Sequence, residues 1–433
     1  MSRPNEFSAV AAAAEMAAGR LTAENLARAC LERIAEREND VRAWAYLSPD
    51  RVIAEARARD REPRRGPLHG VPIAVKDVMD TADMPTEYGT PIYKGNQPAC
   101  DAVCVARARE AGAVVFGKTV STELANIHPA GTRNPRNLGH TPGGSSSGSA
   151  AAVADCMVPL AFGTQTGGSL IRPASYCGIV GYKPTFDFIS TAGVKALSAS
   201  LDTVGVYGRT VPDAALIGRA LIGFAPLDFD SKPAAAPRIG LYRTPQWPLA
   251  EPSMASALEG CAGRLARAGA TVTDVTAPPL MDDIVLAADA INDYETYGSL
   301  THERVRHEEL LSRTLANKLR KAAGVPRERY LAALKTASAC ARLLDDLMRD
   351  FDVLITPSAT GEAPAGLSAI GPSGSLGPVN AFQQMWTLLH TPAISVPVFT
   401  GPQGLPMGLQ VIAPRNEDER ALLLAHWVHR VLT

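Results

Sequence analysis

Three parts of the chain carry residue types able to do chemistry. The first, Gly112-Ala113-Val114-Val115-Phe116-Gly117-Lys118-Thr119, fits the phosphate-loop pattern G-x-x-x-x-G-K-[ST]. That pattern works only where the four intervening residues form a loop with its amides facing phosphates. Here Ala113–Phe116 is a solid apolar run that reads as a strand, and a helix precedes Gly112, so the plain reading is a core strand followed by a turn. The second, Gly144-Ser145-Ser146-Ser147-Gly148, fits the G-x-S-x-G nucleophile elbow with Ser146 at its centre. An elbow needs a strand running straight into it, and Asn137–Pro142 is a polar loop. The third part is a set of three runs: Gly70–Asp77 (GVPIAVKD), Pro142–Ser149 (PGGSSSGS) and Gly163–Ser169 (GTQTGGS). Each has a bland alternative. Lys76 can pair with Asp77 at a strand end, Ser169 can be an ordinary turn serine, and Pro142–Ser149 can be a flexible linker. The linker reading is weakened by the helix expected at once after it, Ala150–Ala154.

Taken together, the three runs resemble the amidase signature family. The similarity continues through Arg172-Pro173-Ala174, Cys177-Gly178, Lys183-Pro184-Thr185 and Leu201-Asp202-Thr203-Val204-Gly205, then Thr391–Pro397 and Gly404–Ala413. It spans about Leu68 to Ala413. One glycine-rich block is weak evidence; three in the family's order and spacing are specific.

The resemblance implies roles residue by residue. The family nucleophile closes the T-G-G-S turn and is Ser169 here. Its partner is the first serine after the paired glycines, Ser145, and the lysine of the V-K-D run is Lys76. In the family a cis peptide precedes the partner serine, which implies a cis Gly144–Ser145 bond. The chemistry fits these residue types. A serine hydroxyl attacks well only if a base takes its proton. Lysine serves as that base only when neutral, and burial lowers its pKa from the ordinary ~10.4 by disfavouring the ammonium. Ser145 would accept the Ser169 proton while passing its own to Lys76, then help to protonate the leaving nitrogen. This is the serine–base scheme without a histidine. The amides of Thr166, Gly167, Gly168 and Ser169 would form an oxyanion hole, glycine tolerating the tight backbone required.

Many members of the family carry Asp-Thr-Gly-Gly-Ser followed by Ile-Arg. This chain has Gln165 before Thr166, and its arginine, Arg172, stands three residues past Ser169. That arrangement resembles the malonamidase-type branch, as do Met84–Glu87 and Ile92-Tyr93. It implies that Arg172 faces the pocket and holds a substrate carboxylate, the alternative being an internal salt bridge. Gln165 either orients the pocket or caps the turn. His128, on the loop before the site, is a candidate pocket residue, and Asp202 reads as structural, hydrogen-bonding backbone beneath the site.

The elements that must position these groups alternate between strand and helix, so the expected fold is α/β: a central mixed β-sheet covered by helices on both faces. One domain, residues 1–433, is expected, with an N-terminal helical segment (1–65), a signature core (66–210) and a remainder (211–433) carrying a helical insertion at 280–350. Thr22 caps a helix over Ala23–Glu38, and Pro49–Glu62 is a charged surface helix. Strands are expected at Gly70–Val75, Ala113–Phe116, Val158–Phe162, Arg238–Tyr242, Thr271–Val275, Val353–Thr356, Ile394–Phe399 and Leu409–Ile412. Helices are expected at Asp101–Ala111, from Thr122–Ala125, and at Ser253–Ala268 and Glu417–Val431. Lys232–Pro237 (KPAAAP) reads as a linker or long crossover, and the segment after Thr356 as a loop to about Pro378.

Composition excludes several function classes. With 43 Lys plus Arg against 44 Asp plus Glu, the net charge is −1, giving no electrostatic reason to expect nucleic acid or an anionic membrane as partner. No run reaches the ~20 apolar residues needed to span a bilayer. Seven scattered cysteines without a C-x-x-C pair argue against a disulfide framework or a zinc site and for a reducing, cytoplasmic setting. No metal or cofactor is expected, and a homodimer is left open. The leading expectation is therefore a hydrolase of a small linear amide. An ester or urethane hydrolase would use the same acyl-serine chemistry. An amidotransferase subunit that works on charged tRNA is disfavoured by the neutral charge and by Gln165 and Arg172. A catalytically dead binding protein is disfavoured because all three relay residues are present.

Overall fold

The computed structural model describes residues 3–231, 233–367 and 380–433. Lys232 of the expected linker and most of the loop toward Pro378 lie outside them. The described residues form one 11-stranded sheet of β1 (Trp44–Leu47), β2 (Pro72–Lys76), β3 (Val114–Thr119), β4 (Leu160–Gln165), β5 (Val180–Lys183), β6 (Thr203–Gly208), β7 (Arg238–Leu241), β8 (Thr271–Asp274), β9 (Val353–Pro357), β10 (Ala393–Thr400) and β11 (Pro406–Ile412). The strand order is β1-β3-β2-β4-β6-β5-β10-β11-β9-β7-β8. The sheet is mixed. β3, β2 and β4 run parallel, as do β9, β7 and β8, whereas β4/β6, β6/β5, β5/β10, β10/β11 and β11/β9 are antiparallel.

Alternation along the strands feeds two cores. In β2, Ile73 and Val75 join one apolar cluster while Ala74 joins the other, and all five β2 residues are buried. A strand sealed on both faces must be apolar along its whole length, which is why Pro72–Val75 reads as an unbroken run. Helices cover both faces. Val103–Glu110, Val211–Leu221 and Asp418–Leu432 supply one cluster; Ala23–Val41, Ser147–Ala154, Ile171–Cys177 and Ile284–Ser299 supply the other. No helix of the described residues is long and apolar enough to cross a membrane.

Most expected elements are present with shifted ends. The helix expected from Thr122 is instead a single 3-10 turn, Glu123–Ala125. The helix cannot continue because Leu124 and Ala125 are both at positive φ, with the Leu124 N–H donated to the Tyr88 carbonyl; Glu123 accepts hydrogen bonds from the backbone and hydroxyl of Ser312. The phosphate-loop match is overruled by register. Lys118 lies inside β3, its ammonium buried against the Asp77 carboxylate (3.3 Å), the Met79 carbonyl and Thr86.

Candidate active site

Parallel pairing of β2 with β4 sets Ile73 opposite Leu160 and Ala74 opposite Ala161. Continuing that register brings the end of β2, Lys76, alongside Gly163 and Thr164. Lys76 is fully buried, and its ammonium nitrogen lies 2.6 Å from Thr164 Oγ1 and 2.7 Å from Ser145 Oγ. Burial pushes the amine down to about 7, partly offset by the Asp202 carboxylate, which favours the charged form. Burial alone does not single it out. Lys183 is equally buried and also lowered to about 7, but its amine donates to the Pro184 carbonyl and meets no serine hydroxyl.

Ser145 enters from the glycine pair. Gly143 and Gly144 have φ of +81° and +61°, and a side chain on Gly144 would run into Pro173 Cγ, so only glycine fits this approach. All peptide bonds of the described residues are trans, Gly144–Ser145 included, which corrects the expected cis bond. Two successive left-handed glycines make the turn here, and the Ser145 N–H donates to Ser169 Oγ at 3.0 Å. Ser145 and Ser169 both line a cavity of about 700 Å³, within the range of small-molecule sites. Lys76 does not line it; its amine meets the lining at Ser145.

Thr166–Ser169 form the turn between β4 and the helix Ile171–Cys177. Among the described residues their four amide N–H groups donate to no protein acceptor. The turn is held from outside. Thr387 Oγ1 donates to the Gly167 carbonyl (3.1 Å), Tyr207 to that of Ser169 (3.1 Å), and Thr166 Oγ1 to Asp202 Oδ1 (2.6 Å). A side chain at Gly168 would run into Asn380 Oδ1 at 2.6 Å.

The remaining expected residues separate. Arg172 is buried and lines the cavity with Ser145, Thr166, Gly167 and Ser169. Gln165 is fully buried and does not line it: its Oε1 accepts from the Leu170 and Ile171 amides (3.0 Å each) and its Nε2 donates to Thr387 Oγ1. It caps the start of the helix after the Thr166–Ser169 turn, the second of its two expected roles. His128 is exposed and outside the lining, though its neighbours Ile127 and Pro129 belong to it. Ser146 is buried, its hydroxyl bonded to both the carbonyl and the amide of Thr164 at 3.2 Å, which leaves it a structural brace. Sequence reading missed Thr164 as a partner of Lys76, and missed the far wall of the cavity. That wall comes from the helices Ile284–Ser299 and Arg313–Ala322 and includes Asp289, Asp293, Arg313, Lys318 and Lys321. No group of His, Cys, Asp and Glu among the described residues could hold a metal ion.

The amidase family profile matches residues 25–422. The glutamyl-tRNA(Gln) amidotransferase A subunits of Acidothermus cellulolyticus and Chloroflexus aggregans are each 34% identical. The first match covers 95% of this chain and 92% of the relative, the second 95% and 93%. Among solved structures, a crystal structure of amidase superposes with TM-score 0.90 at 29% identity, covering 99% of this chain and 100% of that one. The peptide amidase of Stenotrophomonas maltophilia gives 0.83 at 30% identity, over 99% and 97%. A hydrolase of the 6-aminohexanoate cyclic dimer, in complex with substrate, gives 0.87 at 25%, over 98% and 97%. With nearly its whole length matched, the chain belongs to the amidase family.

Proposed function

We propose that this protein hydrolyses the C–N bond of a small linear amide through an acyl-enzyme on Ser169. The observation that carries the reading is the buried amine of Lys76, 2.7 Å from Ser145 Oγ, on a residue whose own N–H rests on Ser169 Oγ. Ser169 Oγ attacks the carbonyl carbon while its proton moves to Ser145 Oγ and that of Ser145 to neutral Lys76. A side-chain rotation brings the two hydroxyls together, as catalytic contacts tighten when substrate binds. The N–H groups of Thr166, Gly167 and Gly168 are free to receive the oxyanion. Collapse returns a proton through Ser145 to the leaving nitrogen, and water then releases the acid. Release of ammonia from a panel of small amides by the isolated protein tests this, and no release from any of them would overturn it.

The cavity favours a polar substrate. Arg172 stands beside Ser169, and the far wall is charged, which suits the acid amide implied by the malonamidase-like spacing. Arg172→Ala should raise KM for a carboxylate-ended amide about 10- to 100-fold, the cost of a lost charged hydrogen bond, while neutral amides change little. Equal losses on both would remove Arg172 from recognition.

Only neutral Lys76 can take a proton, so kcat/KM should rise with pH through about 7 and level off above it. A rate flat from pH 5.5 to 8.5 would contradict the lysine base.

A second reading is favoured by the curated relatives, which are glutamyl-tRNA(Gln) amidotransferase A subunits. In it the same chemistry releases ammonia from an amide donor for use by a partner. Ammonia release that requires charged tRNA together with a partner subunit would establish it over the self-sufficient hydrolase.

A further inference from the structure

Two neighbouring helices of the insertion, Ile284–Ser299 and Arg313–Ala322, put opposite charges on the far wall of the cavity. Lys318, partly buried, donates from its amine to two amide oxygens, Asn126 Oδ1 at 3.2 Å and Asn292 Oδ1 at 3.4 Å. Asp293, also partly buried, stands on the other helix. Among the described residues Lys318 forms no ion pair, and the Asp293 carboxylate has neither an ion pair nor a hydrogen bond. Charges at an open surface are satisfied by water, whereas partly buried ones are ordinarily paired. Burial pushes the Asp293 carboxyl up and the Lys318 amine down, so each charge is held at a cost.

An orphaned donor stands beside them. Asn126 lines the cavity and is only 7% exposed. Its Oδ1 accepts from the Ile127 amide at 3.2 Å as well as from Lys318, which fixes the orientation of the side-chain amide. Its Nδ2 is then a buried donor with no acceptor among the described residues. A bound anion would meet that donor and the Lys318 ammonium together. The cation-binding pole is Asp293. Asp289, one turn earlier on the same helix, is exposed and already accepts from Gln384 Nε2 at 2.7 Å.

We propose that this wall recognises a substrate whose end remote from the scissile amide is zwitterionic, as in an α-amino acid. Lys318 and Asn126 Nδ2 take its carboxylate, and Asp293 takes its ammonium. This rests on the amide hydrolysis proposed above and deepens it. Arg172 and Lys318 line opposite walls of one cavity, so the carboxylate meets a cation from each side. The ammonium then separates the preferred substrate from a plain acid amide.

Four amides of one length test this on the purified protein. Asparagine carries both charges, succinamate the carboxylate alone, 3-aminopropanamide the ammonium alone, and propanamide neither. A second set, one methylene longer, allows for the reach from Ser169 to the wall. Ammonia release should give the zwitterionic member the highest kcat/KM of its set, about 100-fold above the uncharged one. Asp293→Asn should lower kcat/KM for the two ammonium-bearing amides about 10- to 100-fold and leave the other two within about two-fold. Lys318→Met should do the same to the two carboxylate-bearing amides. A wall with a merely structural role would lower all four together, and that result overturns the proposal. So does a wild-type enzyme that prefers the zwitterion in neither set. Should Lys318→Met fail to fold, Lys318→Gln carries the same expectation and the same refutation. Failure of the hydrolysis itself looks different: no member of either set would release ammonia.

Discussion

Ser169→Ala should abolish turnover, by about 10⁴-fold or more, while substrate affinity stays within a few-fold of the wild type. The asymmetry follows from what the hydroxyl touches. Ser169 Oγ accepts one hydrogen bond, from the Ser145 amide, and supplies the only atom the proposed scheme acylates. Arg172 and the free N–H groups of the turn remain in place after the change, and these are the groups expected to hold substrate. Folding should be little disturbed, because the Ser169 carbonyl keeps its bond from Tyr207 and the turn keeps those from Thr387 and Thr166. Intact-protein mass measured during turnover of a slow substrate should show an acyl adduct on the wild type and none on the variant. Near-normal rates in Ser169→Ala would end the proposed mechanism. An adduct mapped to Ser146 would move the nucleophile to the elbow position. The bonds of Ser146 to both backbone groups of Thr164 argue against that outcome.

How far this site could be read from sequence depends on the physical origin of each part. β2 was legible because a strand buried on both faces is written as an unbroken apolar run, and Lys76 ends it. The glycine turns were legible because close backbone approach excludes side chains, as at Gly144 against Pro173. The central strands β5 and β6 were not. VGYK and TVGVYG carry glycines where neighbours press in, such as Gly205, whose added side chain would lie 2.5 Å from the Tyr182 carbonyl, and that dilutes the apolar signal. β1 was missed because a short, half-exposed edge strand has no continuous apolar run. Thr164 and the far wall of the cavity were beyond sequence reading for a different reason. The first depends on β2/β4 register across 88 residues, and the second on how the helical insertion docks. Glu123 shows the docking in one residue: it accepts from Ser312, 189 positions away, where the sequence offered only a local helix signal. Assigning Ser145, Ser169 and Lys76 needed the family resemblance, since alone each had an ordinary structural explanation.

Lys76→Met should leave at most a trace of activity with KM nearly unchanged, and it is the sharper companion to Lys76→Ala. Methionine keeps most of the length and apolar bulk of the lysine stem, so the change removes the amine without opening a large cavity. The side chain does not line the substrate cavity, so binding has no direct reason to change. The loss should fall on kcat, about 10³-fold or more, because Ser145 then has no group to take its proton. The Thr164 hydroxyl, still beside it, is a far weaker base. Stability should hold or rise, since a buried amine drawn down to about 7 gives up hydration that a thioether does not need. The pH profile of whatever turnover remains is the decisive measurement. If Lys76 is the base, its limb near 7 disappears with it. A residual rate that keeps that limb would assign the proton acceptor to another group, and near-normal turnover in a folded Lys76→Met enzyme would remove lysine from the chemistry altogether.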